Sequence, residues 1–203
     1  IAELEEKYDA IFLSVGANIP RKMMIEGEEL EGVFGGNSLL EVENHPDYHG
    51  KKVAIIGGGN VAMDCARTIK RLGAEQVVVI YRRSEAEMPA EAKEIEDSKQ
   101  EGVEFLFLTN ITKILGSDKV EQIECIKTEL VEKEGEKRKV PVDIENSNYC
   151  MPMDFVVMAV GGKADKAMLE EQDIAIGTRK YVSVDENGRT SNPKVFAGGD
   201  VVG

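Results

Sequence analysis

The sequence predicts an α/β protein, with a parallel sheet, flanking helices and an added antiparallel β-meander. Short, continuous apolar runs at 53–56 and 77–80 are typical of strands buried on both faces of a parallel sheet. The residues between these runs follow a helical period, so that strand, helix and strand alternate. From 111 to 144 the stretches are instead strand-like and separated only by turns, which indicates an antiparallel meander.

The composition narrows the class of protein. The chain has 203 residues, enough for one sizeable domain or two small ones, and it is 42% hydrophobic and 31% charged, as globular proteins are. It contains no apolar run of membrane-spanning length and no signal-peptide pattern. The formal net charge of -13 argues against nucleic acid or an anionic membrane as a partner. We therefore expect a cytoplasmic protein that binds neither.

The cysteines and histidines indicate no metal site. Cys65, Cys125 and Cys150 lie far apart and form no C-x-x-C pair, so we expect no dithiol redox centre and no zinc or iron–sulfur ligand set. Cys65 falls on an apolar helix face and is interpreted as a small buried hydrophobe. His45 and His49 flank a Pro-Asp-Tyr turn and are interpreted as loop residues. The sequence also lacks a catalytic triad or carboxylate dyad, so no catalytic residue is predicted.

The region before residue 51 is predicted to hold one strand and one short helix. The strand runs from 8 to 17 and passes through Gly16 near its end. A charged loop at 18–32 follows, and a short helix is predicted at 38–42. Because the chain begins at Ile1 and ends just after a strand-like segment, we expect it to be a piece of a longer protein.

The stretch from 51 to 84 predicts a dinucleotide-binding unit. Its first strand stops at three consecutive glycines, after which the apolar positions fall on one face of a helix that ends before Gly73. Gly57 permits the tight turn and Gly59 lets the backbone approach a pyrophosphate, which the helix N-terminus then faces. The residues of this proposed phosphate cradle are Gly57, Gly58, Gly59, Asn60 and Val61. The strand before it and the helix after it, in a unit of about 30 residues, favour a Rossmann-like site over a glycine turn that binds nothing.

The end of the second strand predicts the choice of nucleotide. An NAD site places an acidic residue about 20 positions after the glycine motif, to hold the ribose 2′-hydroxyl. Here Arg82, Arg83 and Ser84 occupy that place, and two guanidiniums with a hydroxyl suit a 2′-phosphate. The sequence therefore favours NADP(H). The alternative is that the arginines form surface ion pairs with Glu85 and Glu87.

The remaining elements follow in order. A helix is predicted from Pro89 to about Gln100, followed by a strand at 103–108. The meander is predicted as strands at 111–115, 120–132 and 139–144, with a solvated outer face and no catalytic role. A buried strand at 154–160 runs into a glycine pair, and a helix at 166–171, a strand at 181–184 and a strand leading into Gly-Gly-Asp at 198–200 complete the chain.

Nearly the whole chain resembles the NADPH-binding half of the small chain of bacterial glutamate synthase. Its relatives include the flavin subunit of ferredoxin-NADP oxidoreductases and the flavin region of dihydropyrimidine dehydrogenase. Several motifs in one order carry the resemblance: YDAIFLSVGA, VAIIGGGNVAMDCARTIKRLGA, VVVIYRRSEAEMPA, EGVEFLFL and GRTSNPKVFAGGDVVG.

The resemblance implies two dinucleotide domains side by side, with the NADPH domain inserted into an FAD domain. It divides the chain into a remnant of the FAD domain with linker at 1–45, the NADP(H) domain at 46–165, and a return linker with a second FAD-domain remnant at 166–203. It implies that NADPH passes hydride to FAD and that electrons leave through iron–sulfur clusters, with a large subunit as a further partner. Cofactor chemistry of this kind needs positioning rather than an acid or base from the protein.

The resemblance also assigns residues beyond the cradle. Gly161 and Gly162 would lie where the strands converge on the nucleotide, while Gly16 and Asp200 would face FAD. Asp64 would lie near the nicotinamide, although a solvated helix carboxylate fits it equally well. The FAD domain's own glycine fingerprint and the cysteine-rich cluster regions are missing from this sequence. We therefore expect the isolated chain to bind FAD weakly and to be inactive.

Two other functions remain open from the sequence. A stand-alone NADP(H)-binding sensor would need the same site and no chemistry. An NADP-dependent dehydrogenase acting directly on a small substrate would need a substrate domain with a proton donor, and none is visible.

Overall fold

A computed structural model describes residues 1–17, 19–136, 138–177 and 181–203. The chain divides into two compact units, one formed by 1–19 with 162–203 and the other by 20–161. The helices are α1 (Ala2–Glu5), α2 (Gly36–Glu41), α3 (Asn60–Arg71), α4 (Ala92–Gln100) and α5 (Lys166–Glu170). The strands are β1 (Ile11–Leu13), β2 (Ile19–Pro20), β3 (Val33–Gly35), β4 (Lys52–Ile56), β5 (Gln76–Tyr81), β6 (Glu104–Phe107), β7 (Thr109–Leu115), β8 (Gln122–Val131), β9 (Val140–Asp143), β10 (Tyr149–Pro152), β11 (Phe155–Met158), β12 (Gly162–Lys163) and β13 (Val195–Ala197).

The unit of residues 20–161 is built on a five-stranded parallel sheet. Its strand order is β3-β11-β4-β5-β6, and every neighbouring pair in it is parallel. The α/β class and the parallel sheet predicted from the apolar runs are confirmed. The edge strand β3 was not predicted, because three residues beside glycines form no recognisable apolar run. Its pairing with β11 places Val33 to Gly35 in the sheet of this unit, which begins at Pro20.

Two layers cover the two faces of this sheet. On one face, α3 buries most of the side chains predicted from its period, including Ala62 and Cys65, which are both 0% exposed, whereas Leu72 at its end is 39% exposed. On the other face, residues of the antiparallel strands, such as Ile114 and Ile123, pack against Ala54 and other residues of the sheet. The parallel strands are therefore covered on both sides, as their continuous apolar runs require.

The predicted meander is present, with one strand more than the sequence indicated. Strands β7 and β8 are antiparallel with a bulge between Ile111 and Lys113, and β9 and β10 both pair with β8. Strand β10 was missed, because a four-residue segment ending in proline shows no alternation. Leu108 joins the parallel sheet to the meander with a φ of 49°, a left-handed conformation that is rare for a branched side chain.

Ion pairs join α3 to α4 and to Glu101, the residue that follows α4. Arg67 contacts Glu94 and Asp97, and both Arg67 and Arg71 bind the carboxylate of Glu101. Hydrogen bonds from Arg71 and then Arg67 lower the pKa of Glu101 from 4.5 to about 2. This carboxylate joins the two helices that flank the sheet on one face.

The depressed pKa of Glu101 predicts an acid-dependent loss of stability. A lowered folded pKa stabilises the fold above the ordinary value of 4.5, and this stability is lost as the pH falls towards about 2. We expect Glu101→Gln to remove that part of the pH dependence in urea unfolding measured between pH 5 and roughly pH 3, the accessible part of this window. Glu96→Gln is the control, because Glu96 accepts only a hydrogen bond from the Gln100 side chain. Identical pH profiles for the two variants would contradict the assignment.

The other unit contains a two-stranded parallel sheet formed by β1 and β13. Ile11 pairs with Val195 and Leu13 with Ala197, and Leu169 and Val201 pack into the same apolar cluster. The strand predicted at 181–184 is not formed, since that segment makes a single bridge, between Ile176 and Val182. Strands β2 and β12 lie where the chain passes from one unit to the other.

Candidate nucleotide-binding site

The predicted site residues of the larger unit meet at the carboxyl edge of its parallel sheet. Strands β4 and β5 are neighbours, with Ile56 paired to Ile80. The glycine turn follows β4 and the two arginines follow β5, so the two groups leave the sheet side by side. The sheet thus places the proposed phosphate cradle next to the proposed 2′-phosphate residues.

Gly57 cannot be replaced without strain. Its φ is 139°, and a Cβ atom there would lie 2.2 Å from the carbonyl oxygen of Ala159. Its N–H donates to the carbonyl oxygen of Ile80 at 3.1 Å. Gly57 therefore serves the turn itself, as the sequence predicted.

Gly58 and Gly59 have different surroundings. A Cβ on Gly58 would lie 2.7 Å from the ring of Tyr81, so Gly58 makes room for a neighbouring side chain. A Cβ on Gly59 would meet only Pro89 Cγ, at 4.0 Å. The space beside Gly59, the N-cap of α3, is therefore open among the described residues, as close approach of a ligand to the backbone requires.

The start of α3 presents unused hydrogen-bond donors. Gly59 is the N-cap and no side chain caps the helix. The first amides with a described acceptor are those of Ala62 and Met63, which donate to Gly59 O at 3.0 and 3.3 Å. Within the described ranges, the N–H groups of Gly59, Asn60 and Val61 have no protein acceptor. Three amides at the positive end of a 12-residue helix suit a phosphate.

A short segment after the arginines braces the glycine turn. The N–H of Ala90 donates to Gly58 O at 3.1 Å, and the N–H of Glu91 donates to Asn60 Oδ1 at 2.9 Å. The Asn60 side chain is thus fixed through its oxygen, which leaves its amide NH₂ as a donor. Asp64 lies one turn further along α3 and is exposed.

Neither arginine forms a surface ion pair within the described ranges, although the nearby charge of Arg83 helps to lower the pKa of Glu87. Arg82 is exposed and Arg83 is half-buried, and neither forms an ion pair with any carboxylate among the described residues. The Nε atom of Arg83 is buried without a hydrogen-bond partner, which is costly unless a ligand supplies one. Of the two glutamates that the alternative required, Glu85 binds Lys99 at 2.6 Å instead.

The other glutamate, Glu87, is occupied by Ser84. The carboxylate of Glu87 accepts hydrogen bonds from the hydroxyl and from the backbone N–H of Ser84. The hydroxyl bond, followed by the backbone bond and the nearby charges of Lys139 and Arg83, lowers the pKa of Glu87. The Ser84 hydroxyl is therefore committed within the protein, in a capping box whose Ser-x-x-Glu spacing is visible in the sequence.

The backbone of the arginine segment is fixed by the meander. The hydroxyl of Thr128 donates to Arg82 O at 2.8 Å, and the N–H of Leu108 donates to Arg83 O at 3.0 Å. Neither Thr128 nor Leu108 was predicted to belong to the site. A threonine within a strand reads as an ordinary strand residue, so no sequence signal could have found it.

Gly161 also lies at this edge, beyond the end of β11. It has a φ of 95°, is exposed, and has nothing within 4 Å of a Cβ. Its carbonyl oxygen accepts the N–H of Arg21 at 3.1 Å. Gly162 belongs to the other unit, where a Cβ would lie 1.7 Å from Ala17 O.

Gly16 and Asp200 lie together in the smaller unit. They follow β1 and β13, two neighbouring parallel strands, so both lie beyond the same edge of that pair. Gly16 has a φ of 72°, and Asp200 is an exposed residue of a single 3₁₀ turn, Gly199–Val201.

The described residues supply no metal site and no reactive thiol in the core. No group of three or more His, Cys, Asp or Glu residues in these ranges could hold a metal ion. Burial raises the pKa of both Cys65 and Cys125 to about 12, so their thiolates are disfavoured. None of the helices in the described ranges is both long and apolar enough to cross a membrane.

Comparison with protein families matches residues 2–203 to the pyridine nucleotide-disulphide oxidoreductases. The NADP(+)-dependent formate dehydrogenase subunit beta of Moorella thermoacetica is 41% identical over 98% of this chain and 29% of its own length. The glutamate synthase [NADPH] small chains of Halomonas elongata and Escherichia coli are 37% and 32% identical, each over 98% of this chain and less than half of their own length. The predicted resemblance is confirmed, and the chain spans less than half of these relatives.

Solved structures share the fold. Mycobacterium tuberculosis FprA in complex with NADPH superposes with a TM-score of 0.79 at 22% identity, over 98% of this chain and 59% of that one. The thioredoxin reductase of T. acidophilum gives a TM-score of 0.70 at 20% identity over 96% of this chain and 58% of that one.

Proposed function

The chain belongs to the pyridine nucleotide-disulphide oxidoreductase family, and from that premise we propose that residues 20–161 are its NADP(H)-binding domain. The domain serves a flavin-dependent oxidoreductase of the glutamate synthase small-chain type. It presents NADPH for hydride delivery to FAD, and the electrons then pass to iron–sulfur clusters outside this chain. A large subunit is the proposed further partner, in the cytoplasm.

One observation supports this proposal: at the carboxyl edge of the sheet, arginines without a described ion-pair partner lie beside backbone amides without a described acceptor. The free amides at the start of α3 suit the pyrophosphate, and Gly59 leaves the backbone accessible to it. Arg82 and Arg83, without described carboxylate partners, suit the 2′-phosphate. The buried Nε of Arg83 would gain an acceptor on binding.

The residues of this chain bind and orient rather than react. When bound, the nicotinamide supplies the hydride and the flavin accepts it. Asn60, braced by Glu91, directs its amide NH₂ as a further donor beside the cradle. Gly161 leaves open space at the edge that the nicotinamide half would occupy, and Asp64 is the proposed carboxylate near that end. Hydride transfer needs alignment and exclusion of water, which these residues serve.

The smaller unit is proposed to contribute to an FAD site. Gly16 allows close approach of the cofactor through its positive φ, and Gly162, in β12, allows the strand to lie close to the carbonyl oxygen of Ala17. Asp200 is exposed and would accept a hydrogen bond from a ribityl hydroxyl with its carboxylate, or donate its backbone N–H to the pyrophosphate. Because the chain spans less than half of its relatives, this site needs segments beyond it, and the chain alone is expected to be inactive.

Titration calorimetry of the chain with NADPH and with NADH tests the nucleotide assignment. We expect NADPH to bind at least about tenfold more tightly, because only NADPH carries the phosphate that the arginines would hold. The preference should fall between 50 mM and 500 mM salt, since Arg82 is exposed and its attraction is screened. Equal affinity for the two nucleotides would overturn the assignment of NADP(H).

A further inference from the structure

Two hydrogen bonds hold the backbone of the arginine segment, and a third joins the two residues that donate them. Thr128 Oγ1 donates to Arg82 O at 2.8 Å, and the N–H of Leu108 donates to Arg83 O at 3.0 Å. The N–H of Thr128 donates to Leu108 O at 2.8 Å, which closes the set. We name these three bonds the Thr128 link. They connect the end of β5, the junction of β6 and β7, and the middle of β8.

The Thr128 link has the properties of a rigid connection. Thr128 is 3% exposed, so water competes little for its hydroxyl. Leu108 holds a φ of 49°, a conformation that costs a branched residue about 1–2 kcal/mol and persists only where its surroundings enforce it. The N–H and the carbonyl oxygen of Leu108 are both used in the link, which is the enforcing contact.

The link affects the placement of the guanidiniums because, among the described residues, no carboxylate forms an ion pair with either of them. No described carboxylate holds either side chain, so the direction of each depends on the peptide groups that flank its Cα atom. The carbonyls of Arg82 and Arg83 are those peptide groups, and the link holds both. Because the backbone is already fixed before binding, less conformational entropy is lost when the arginine side chains bind a ligand.

We propose that Thr128, from the meander, is a positioning residue for the recognition of a nucleotide 2′-phosphate by Arg82 and Arg83. This inference rests on the proposed function and adds a specificity role for a strand that contributes no side chain to the glycine turn. A simpler role is that the hydroxyl only satisfies a buried carbonyl, which would affect stability alone. The two roles differ in their effect on NADPH relative to NADH.

The test compares Thr128→Val with Thr109→Val. Thr109 is 5% exposed on the neighbouring strand, and its hydroxyl donates to Phe107 O at 3.0 Å rather than to a carbonyl of the arginine segment. For each variant, the dissociation constants of NADPH and of NADH are measured by calorimetry and the stability by urea unfolding. We expect Thr128→Val to reduce the preference for NADPH about threefold to tenfold, in line with one hydrogen bond. Thr109→Val and Thr128→Ser should keep the preference of the unchanged chain.

Each outcome of these measurements either supports or overturns the proposed role of Thr128. If Thr128→Val loses stability as Thr109→Val does while the nucleotide preference stays unchanged, the hydroxyl is structural and the inference is overturned. If Thr128→Val does not fold, Thr128→Ala is compared with Thr128→Ser, and an equal preference in these two overturns it as well. If the unchanged chain binds both nucleotides equally, the proposed cofactor choice fails first, and the inference fails with it.

Discussion

Replacing Arg82 and Arg83 together by alanine is expected to abolish most of the preference for NADPH over NADH. Each guanidinium supplies charge-assisted hydrogen bonds to the 2′-phosphate, so the loss should be on the order of 2 kcal/mol or more. The affinity for NADH should change little, because NADH has a hydroxyl in place of that phosphate. Calorimetry with both nucleotides at moderate salt measures the effect.

A matched variant separates recognition from net charge. Lys51→Ala/Lys119→Ala removes two positive charges at the opposite, amino edge of the sheet, where both lysines act on Asp154. General attraction of an anionic ligand would weaken equally in both double variants. A loss of preference in the lysine variant as large as in the arginine variant would show that the arginines are ordinary surface charge.

Alanine at Gly57 is expected to reduce stability, whereas alanine at Gly59 is expected to reduce nucleotide binding. Gly57→Ala places a Cβ 2.2 Å from Ala159 O at a φ of 139°, so the free energy of unfolding should fall by about 3 kcal/mol or more. Gly59→Ala meets only Pro89 Cγ at 4.0 Å, so its stability should fall by less than about 1 kcal/mol. Binding of both nucleotides to Gly59→Ala should nevertheless weaken by roughly tenfold or more, because the new methyl group enters the space of the pyrophosphate.

Urea unfolding and calorimetry on the same preparations separate these effects. Each of the two variants provides the control for the other, since both add one methyl group within the same turn. Normal nucleotide binding by Gly59→Ala would remove the pyrophosphate from this turn. Wild-type stability in Gly57→Ala would contradict the geometry assigned to the strand end.

The sequence predicted the parts of the site that depend on local pattern. The change from a continuous apolar run to a helical period at Asn60 located the glycine turn, and counting from it located Arg82. The glycine turn and Arg82 lie within one strand–helix–strand unit, so the number of residues between them determines where they lie relative to each other in the structure. The parallel order of β4 and β5 follows from the same unit.

The features that were missed depend on contacts distant in the chain. Strand β3 is too short for a periodic signal and exists because β11 pairs with it. The roles of Thr128 and Leu108 arise because the meander lies across the end of β5, which no local pattern encodes. Ser84 is a local exception, because its hydroxyl donates to Glu87 three residues later in a Ser-x-x-Glu capping box that the sequence itself contains.

The interleaved order of the two units has a consequence for biosynthesis. The chain enters the larger unit and leaves it at nearly one point, where the N–H of Arg21 meets Gly161 O at 3.1 Å. All five parallel strands of that unit therefore emerge from the ribosome before β13, the partner of β1, has been made. At about 5–20 residues per second, β1 waits on the order of ten seconds or longer for its partner. The parallel sheet of the larger unit is therefore synthesised in full before the strand that pairs with β1 has been made.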